Sequence, residues 1–351
     1  MKEIDCGIIG SGVIAPTHIE SYLKNETVRV KTLCDLKLEK AKELAAKYGI
    51  PETVTDYREI LKDPEIDIVS VCTDHASHAE IAAAVLESGK HLICEKCLTS
   101  TDAGLDKILA AHRRHPELTA SGIFQHRCEP TNQVLRQLIA DGKFGRMLTA
   151  SLTVACLRTD EYYLTDAWRG TWAQEGGSVL INQTVHHFDL MRYFLGEIES
   201  VSVKFDNLAH QGVIETEDTI AILLKFRSGA LATVISTSAS KSVTWRSNYI
   251  ITGTEGYIEY TDFVPAFVEF TDQAAKAEIV ERFKACKLDE ALQVGKGYYG
   301  GGHPAQIADI IDAIRNGRPP YVTLEDAAAT ARVVVACYES GRTGKWIDVK
   351  Y

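Results

Sequence analysis

Strand-sized apolar runs alternate with amphipathic stretches through the first part of the chain. The runs Asp5–Ile9, Val28–Cys34, Ile66–Cys72, His91–Cys94 and Leu118–Phe124 read as strands. Between them, Pro16–Lys24, Leu38–Tyr48, Ala76–Ser88 and Thr101–His115 repeat apolar residues at helical spacing. Short runs apolar on both faces need cover on both faces, so the alternation predicts a parallel sheet between layers of helices. The rhythm changes beyond Phe124. A helix is expected at Thr131–Asp141, a long alternating strand at Met147–Leu157, and a helix at Ser178–Leu195. Strands then dominate: Val201–Asn207, Thr219–Phe226, Ala230–Ser238, Tyr249–Gly253 and Tyr257–Tyr260. Arg227-Ser228-Gly229 and Gly253-Thr254-Glu255-Gly256 read as hairpin turns. Helices at Pro304–Asn316 and Leu324–Ser340 close the chain. The expectation is an α/β protein. A nucleotide-binding type of domain spans residues 1–123, and an α+β domain with an open, mostly antiparallel sheet spans 124–351. Whether the last helix packs back on the first domain stays open.

Length and composition fit this division. The chain has 351 residues, and domains of about 150 residues give about two. It carries 38 basic and 48 acidic residues, a net charge of −10. That balance argues against nucleic-acid or anionic-membrane partners, which need a basic footprint. No run approaches the roughly 20 apolar residues of a membrane helix, and no export signal is evident at the N-terminus. The nine cysteines are scattered and odd in number. Cys6, Cys34, Cys72 and Cys94 lie in strand-like runs and read as reduced, buried thiols, with the cytoplasm as the default compartment.

The first strand runs into Gly10-Ser11-Gly12-Val13-Ile14-Ala15, a G-x-G-x-x-A turn that opens a helix. Gly10 permits the tight turn, Gly12 lets the backbone approach a pyrophosphate, and Ala15 allows close strand–helix packing. The helix N-terminus offers N–H groups to phosphate. Asp35 ends the second strand, twenty residues after Ala15. A carboxylate there accepts ribose hydroxyls and repels a 2′-phosphate, which favours NAD over NADP, although Lys37 stands close by.

Several further segments together resemble the Gfo/Idh/MocA family, named for glucose–fructose oxidoreductase, inositol dehydrogenase and a rhizopine-catabolism protein. Glu95-Lys96, following Gly89-Lys90-His91, is similar to its G-K-H-V-x-x-E-K-P signature. Cys72-Thr73 with His78 is similar to T-P-x-x-x-H. Gly176-Gly177-Ser178 through Asn182 and His186 is similar to G-G-G-x-L-x-D-x-G-x-H. Gly300-Gly301-Gly302-His303 and the final helices also fit, and the resemblance runs along nearly the whole chain.

The resemblance implies oxidation of a sugar or inositol hydroxyl, with hydride passed to a nicotinamide at a domain interface. Lys96 matches the catalytic lysine, and His186 would bond the reacting hydroxyl or shuttle its proton. Asn182 stands where the family more often has aspartate; it can orient a substrate but cannot take a proton. On an α-helix Asn182 and His186 share a face, while His187 falls on another and reads as core. Gly10, Gly12, Val13, Ile14, Asp35, Thr73, His75, His78, Glu95, Lys96, Gln125 and Arg169 are expected at the cofactor. His78 has a second reading, as a cap on its own helix. Arg158, Tyr163, Trp168 and His303 are expected at the substrate. The segment from Tyr162-Tyr163 to Trp172 is similar to relatives that act on glycosides and nucleotide sugars. Cys97 replaces the usual proline and creates a C-x-x-C with Cys94, read as accidental; no metal site is expected.

Three functions compete. The first is an NAD-dependent dehydrogenase of a sugar, glycoside or cyclitol. The second is an NAD-dependent glycosidase that retains its cofactor. The third is a non-catalytic NAD/sugar sensor, against which Lys96 and His186 argue. Alternating apolar residues across Val201–Ser238 also suggest a homodimer or homotetramer.

Overall fold

The computed structural model of the protein describes residues 3–241, 245–286, 294 and 301–351. The chain folds as two compact units, Met1–Gln125 with Asp289–Ala331, and His126–Leu288 with Arg332–Tyr351. The segment 289–331 is therefore grouped with the first unit, whereas the sequence pattern assigned it to the second domain. The reason is apolar packing. Ile307, Ile310 and Ile311 are buried in one cluster with Ile8, Ile19, Tyr22 and Leu33.

The first unit holds β1 (Ile4–Ile9), β2 (Val28–Cys34), β3 (Glu52–Val54), β4 (Ile66–Val71), β5 (His91–Cys94) and β6 (Ala120–Gly122). They form one sheet in the order β3-β2-β1-β4-β5-β6, and every pairing is parallel. The linking helices are α1 (Ala15–Leu23), α2 (Leu38–Tyr48), α3 (Tyr57–Lys62), α4 (His75–Glu87) and α5 (Asp102–Arg114). β3 and α3 escape the sequence pattern because three and six residues are too few to show a period. This is the Rossmann order. It reverses between β1 and β4, so the loops after these two strands diverge and leave a crevice at their carboxyl ends.

The second unit holds β7 (Met147–Ala155), β8 (Ile198–Asp206), β9 (Thr219–Phe226), β10 (Leu231–Thr237), β11 (Arg246–Gly253), β12 (Gly256–Thr261), β13 (Val264–Phe270) and β14 (Ile347–Asp348). The order is β13-β12-β11-β7-β10-β9-β8-β14. Only the β7–β10 pair is parallel among these described strands. Its helices are α6 (Pro130–Ala140), α7 (Asp160–Leu164), α8 (Val185–Leu195) and α9 (Gln273–Ala285). Then come α10 (Gly302–Asn316), in the first unit, and α11 (Leu324–Thr343), which supplies residues to both. Along β9, Ile220, Ile222, Leu224 and Phe226 are buried while Ala221, Leu223 and Lys225 are exposed, the alternation of a half-covered sheet.

One predicted element differs in kind. Residues Val179–Thr184 form a π-helix, and the α-helix begins only at Val185. Among the described residues no helix is long and apolar enough to cross a membrane. Gly300 of the glycine run lies outside the described residues.

Candidate active site

The glycine loop is shaped by contact on one side and openness on the other. Gly10 has φ +98°, and a Cβ there would lie 2.5 Å from the Cys72 carbonyl oxygen. A Cβ on Gly12 would meet nothing within 4 Å. The loop thus leans on the segment just after β4 through Gly10 and faces free space through Gly12, with Val13 exposed and Ile14 half-buried beside it. No side chain caps the N-terminus of α1; its Ala15 and Thr17 N–H groups turn back to the Gly12 and Ile14 carbonyls at 3.2 and 3.0 Å, so the helix offers an anion chiefly the positive end of its dipole. The Asp35 carboxylate accepts from the Ser11 N–H at 2.9 Å and from the Lys37 N–H at 2.8 Å. It ties the loop to the end of β2 and keeps lone pairs for hydroxyl donors. These features fit a dinucleotide's pyrophosphate and ribose.

At the end of β5, Glu95 is buried. Its carboxylate accepts from His18 Nε2 at 2.9 Å and from the Lys96 backbone N–H at 3.1 Å. A carboxylate only accepts, so His18 Nε2 carries a hydrogen. His18 Nδ1 then faces the Ser70 hydroxyl at 3.1 Å, which is bonded to the Tyr22 hydroxyl at 2.8 Å. Burial alone would raise the Glu95 carboxyl. The His18 hydrogen bond, with the charges of His18, His303 and Lys96, instead brings it down to about 2. Lys96 itself is half-buried. Sequence reading missed His18; its signal was a histidine on the α1 face that must pack on the sheet.

The other first-unit candidates divide into backbone braces and loop residues. His78 is fully buried between the Cys97 carbonyl at 3.0 Å and the Thr73 carbonyl at 3.1 Å, and burial lowers its pKa. It joins the loops after β4 and β5, and the helix cap is Asp74, which accepts from the Ser77 N–H. Thr73 accepts from the Ser77 hydroxyl at 2.7 Å. His75 and Gln125 are buried. A Cβ on Gly302 would collide with the Gln125 backbone oxygen, which explains the glycine before His303. The buried His303 ring stands edge-on to His18 at 6.3 Å. Cys94 and Cys97 are both buried free thiols. Burial raises both, Cys97 to about 12, so neither is a ready thiolate. No described group of residues could hold a metal ion.

In the second unit the π-helix has its amides drawn outward. The buried Glu217 carboxylate accepts from the Ser178 and Leu180 N–H groups at 3.1 and 3.0 Å, and from the Tyr338 hydroxyl at 2.8 Å. The Tyr338 oxygen accepts from the Ile181 N–H at 3.3 Å. Acceptors outside the helix thus serve its first turn, which is why residues with α-helical spacing open into a wider coil. Burial pushes the Glu217 carboxyl up to about 7 against these hydrogen bonds. Asn182 donates from its amide to Glu175. Half-buried His186 sets its ring edge-on to His126 at 5.4 Å, and His126 is bonded to Glu129 at 2.8 Å. His187 is core: Nδ1 meets the Tyr249 hydroxyl at 2.7 Å and Nε2 accepts from Trp245 at 3.2 Å. Phe263 stacks on His187 at 5.3 Å and tilts over His126 at 4.5 Å.

The Arg158–Glu175 loop resolves its two tyrosines. Tyr163 is buried, its hydroxyl 2.9 Å from both the Ser178 and Ser238 hydroxyls, so it holds the loop to the sheet. Tyr162 is the one among the cations. Arg158 lies over its ring at 4.7 Å and Arg169 at 4.5 Å. Arg169 also lies over Trp168 at 4.5 Å.

Comparison with known proteins finds matches along most of the chain. Residues 4–122 match the family model described as oxidoreductase family, NAD-binding Rossmann fold. Residues 136–349 match the one described as oxidoreductase family, C-terminal alpha/beta domain. The chain is 28% identical to the uncharacterized oxidoreductase YrbE of Bacillus subtilis, over 83% of this chain and 85% of that protein. It is 24% identical to myo-inositol 2-dehydrogenase of Thermotoga maritima, over 91% of each. Among solved structures, levoglucosan dehydrogenase in complex with NADH matches with TM-score 0.87 and 25% identity, over 99% of this chain and 100% of that one. The WlbA dehydrogenase of Bordetella pertussis shares the fold at TM-score 0.89 and 23% identity, over 100% and 99%.

Proposed function

Because this chain belongs to the Gfo/Idh/MocA oxidoreductases and carries their NAD-binding Rossmann domain, we propose that it transfers hydride between NAD and a sugar, glycoside or cyclitol hydroxyl carbon. The observation that carries the reading is Glu95-Lys96 at the carboxyl end of β5, in the same unit as an open glycine cradle. When bound, NAD supplies the hydride acceptor. Lys96 takes the hydroxyl proton, and His186 hydrogen-bonds the reacting oxygen, steadied by its contact with His126. Asn182, held by Glu175, orients the substrate without exchanging a proton. Asp35 accepts the ribose hydroxyls and selects NAD over NADP. The names of the levoglucosan and inositol dehydrogenases support a carbohydrate or cyclitol substrate.

The test is reduced-nicotinamide absorbance with NAD and a panel of sugars, inositols, glycosides and nucleotide sugars, with products weighed by mass spectrometry. NADH formation with a product two hydrogens lighter is expected. Lys96→Met should lower turnover by about 10²-fold or more while leaving NADH binding intact. Glycoside cleavage without net NADH would overturn the dehydrogenase reading in favour of a cofactor-retaining glycosidase.

We also infer that a second copy of the chain covers the open sheet face. A row of paired positions crosses it from Phe267 through Glu259, Ile250, Ser151 and Thr233 to Leu223. Phe267, Ile250 and Leu223 in that row are exposed, an apolar load that favours burial.

A further inference from the structure

Tyr162 accepts two hydrogen bonds, and their direction is set by chemistry. Arg158 donates to the Gln183 side-chain oxygen from Nε at 3.2 Å and from Nη2 at 2.9 Å. A guanidinium only donates, so the Gln183 oxygen must face Arg158 and its amide N–H₂ must face the other way. That amide is 3.2 Å from the Tyr162 oxygen, and Arg169 Nη1 is 2.7 Å from it. Both are donors, so both acceptor positions of the phenol are filled. The hydroxyl hydrogen must then point to a third partner, and no described residue accepts it. Gln183 neighbours Asn182 in the π turn that leads to His186.

We propose that Tyr162 donates its hydroxyl hydrogen to an oxygen of the bound substrate, making it a specificity-determining residue of the reaction. This rests on the reading that the substrate is a carbohydrate or cyclitol, a molecule rich in acceptor oxygens. The two guanidinium groups on the ring faces withdraw electron density and strengthen the donor. Burial, outweighing the pull of Arg169 and Arg158, holds the phenol pKa above its ordinary value. Tyr162 therefore keeps its proton at neutral pH and serves as a donor, leaving base chemistry to Lys96.

Tyr162→Phe removes one hydroxyl and leaves the ring beneath both guanidinium groups. The experiment titrates myo-inositol, levoglucosan and a UDP-hexuronate into NADH-loaded wild type and variant by calorimetry. Turnover is followed in parallel. The expected result is binding weakened about tenfold for the compound that wild type binds, seen as a raised KM, with NADH affinity unchanged. Equal binding by both proteins overturns the assignment to Tyr162 and leaves the dehydrogenase reading standing. Weakened binding without hydride transfer in wild type supports Tyr162 and overturns the dehydrogenase reading. Failure of wild type to bind any of the three overturns both.

Discussion

At the end of β5, Glu95 keeps a carboxylate where water scarcely reaches. His18 makes this stable, because removing the charge from water costs several kcal/mol unless a donor replaces it. Its folded pKa of about 2 lies below the ordinary 4.5. The associated stability is therefore complete above pH 4.5 and is lost as pH falls toward 2. The shift corresponds to about 3 kcal/mol. Urea unfolding should show Glu95→Gln less stable than wild type by about that amount at pH 7, with the gap narrowing as pH falls through 4. A gap that stays constant would mean the carboxylate's charge is not what His18 stabilises. Glu95 and Lys96 stood out through the resemblance of their segment to the family's E-K-P signature, at a strand end where such a sheet builds chemistry. The sequence did not show His18, since a histidine at one helical position carries no sign of which ring nitrogen finds a carboxylate 77 residues away.

Among the elements, the π-helix at Val179–Thr184 depends on a residue that no local pattern connects to it. Glu217 stands 39 residues from Ser178, so reading by period gives an unbroken α-helix. Glu217→Ala strands the Ser178 and Leu180 amides in the interior, a loss of about 2–6 kcal/mol at about 1–3 kcal/mol for each. Glu217→Gln keeps an acceptor and should lose less. The carboxyl is raised to about 7; its stabilising contribution is present below pH 4.5 and is lost as pH rises through 7. Chemical denaturation between pH 5 and 8 should show that decline in wild type and not in Glu217→Gln. Apart from β3 and α3, the strands and helices of the first unit were legible to within about two residues, because continuous apolar runs and helical spacing are dense there. The hairpin strand β13 and helix α9 were not. Exposed Val264 and Phe267 break the alternation of the strand, and only two of the helix's 13 residues, Ile279 and Phe283, are buried, too few to mark an apolar face.

For the molecule as a whole, the proposed assembly rests on the open face of the eight-stranded sheet. Leu223, Leu231, Ile235 and Phe267 are each about half exposed, the first three on strands whose opposite face is core. Light scattering should give a mass of two or four chains. Ile235→Lys should shift it toward one while leaving NADH binding in place. A monomer at micromolar concentration in wild type would refute the covered face. The fold class was legible from the two rhythms of the sequence. The grouping of 289–331 with the first unit was not, because Ile307, Ile310 and Ile311 show the period of any buried helix and do not name the sheet they cover.

The turn at Asp262-Phe263 has a consequence for engineering. Both residues have positive φ, +48° and +65°, a conformation that glycine and asparagine hold more cheaply and that a bulky ring resists. A stabilising redesign would replace them with Asn-Gly, and the hairpin itself would gain. The same change would delete the ring that lies on His126 and His187. The strained turn is thus a position where improved thermal tolerance and an ordered histidine cluster are alternatives, and libraries selected for heat resistance alone would discard Phe263.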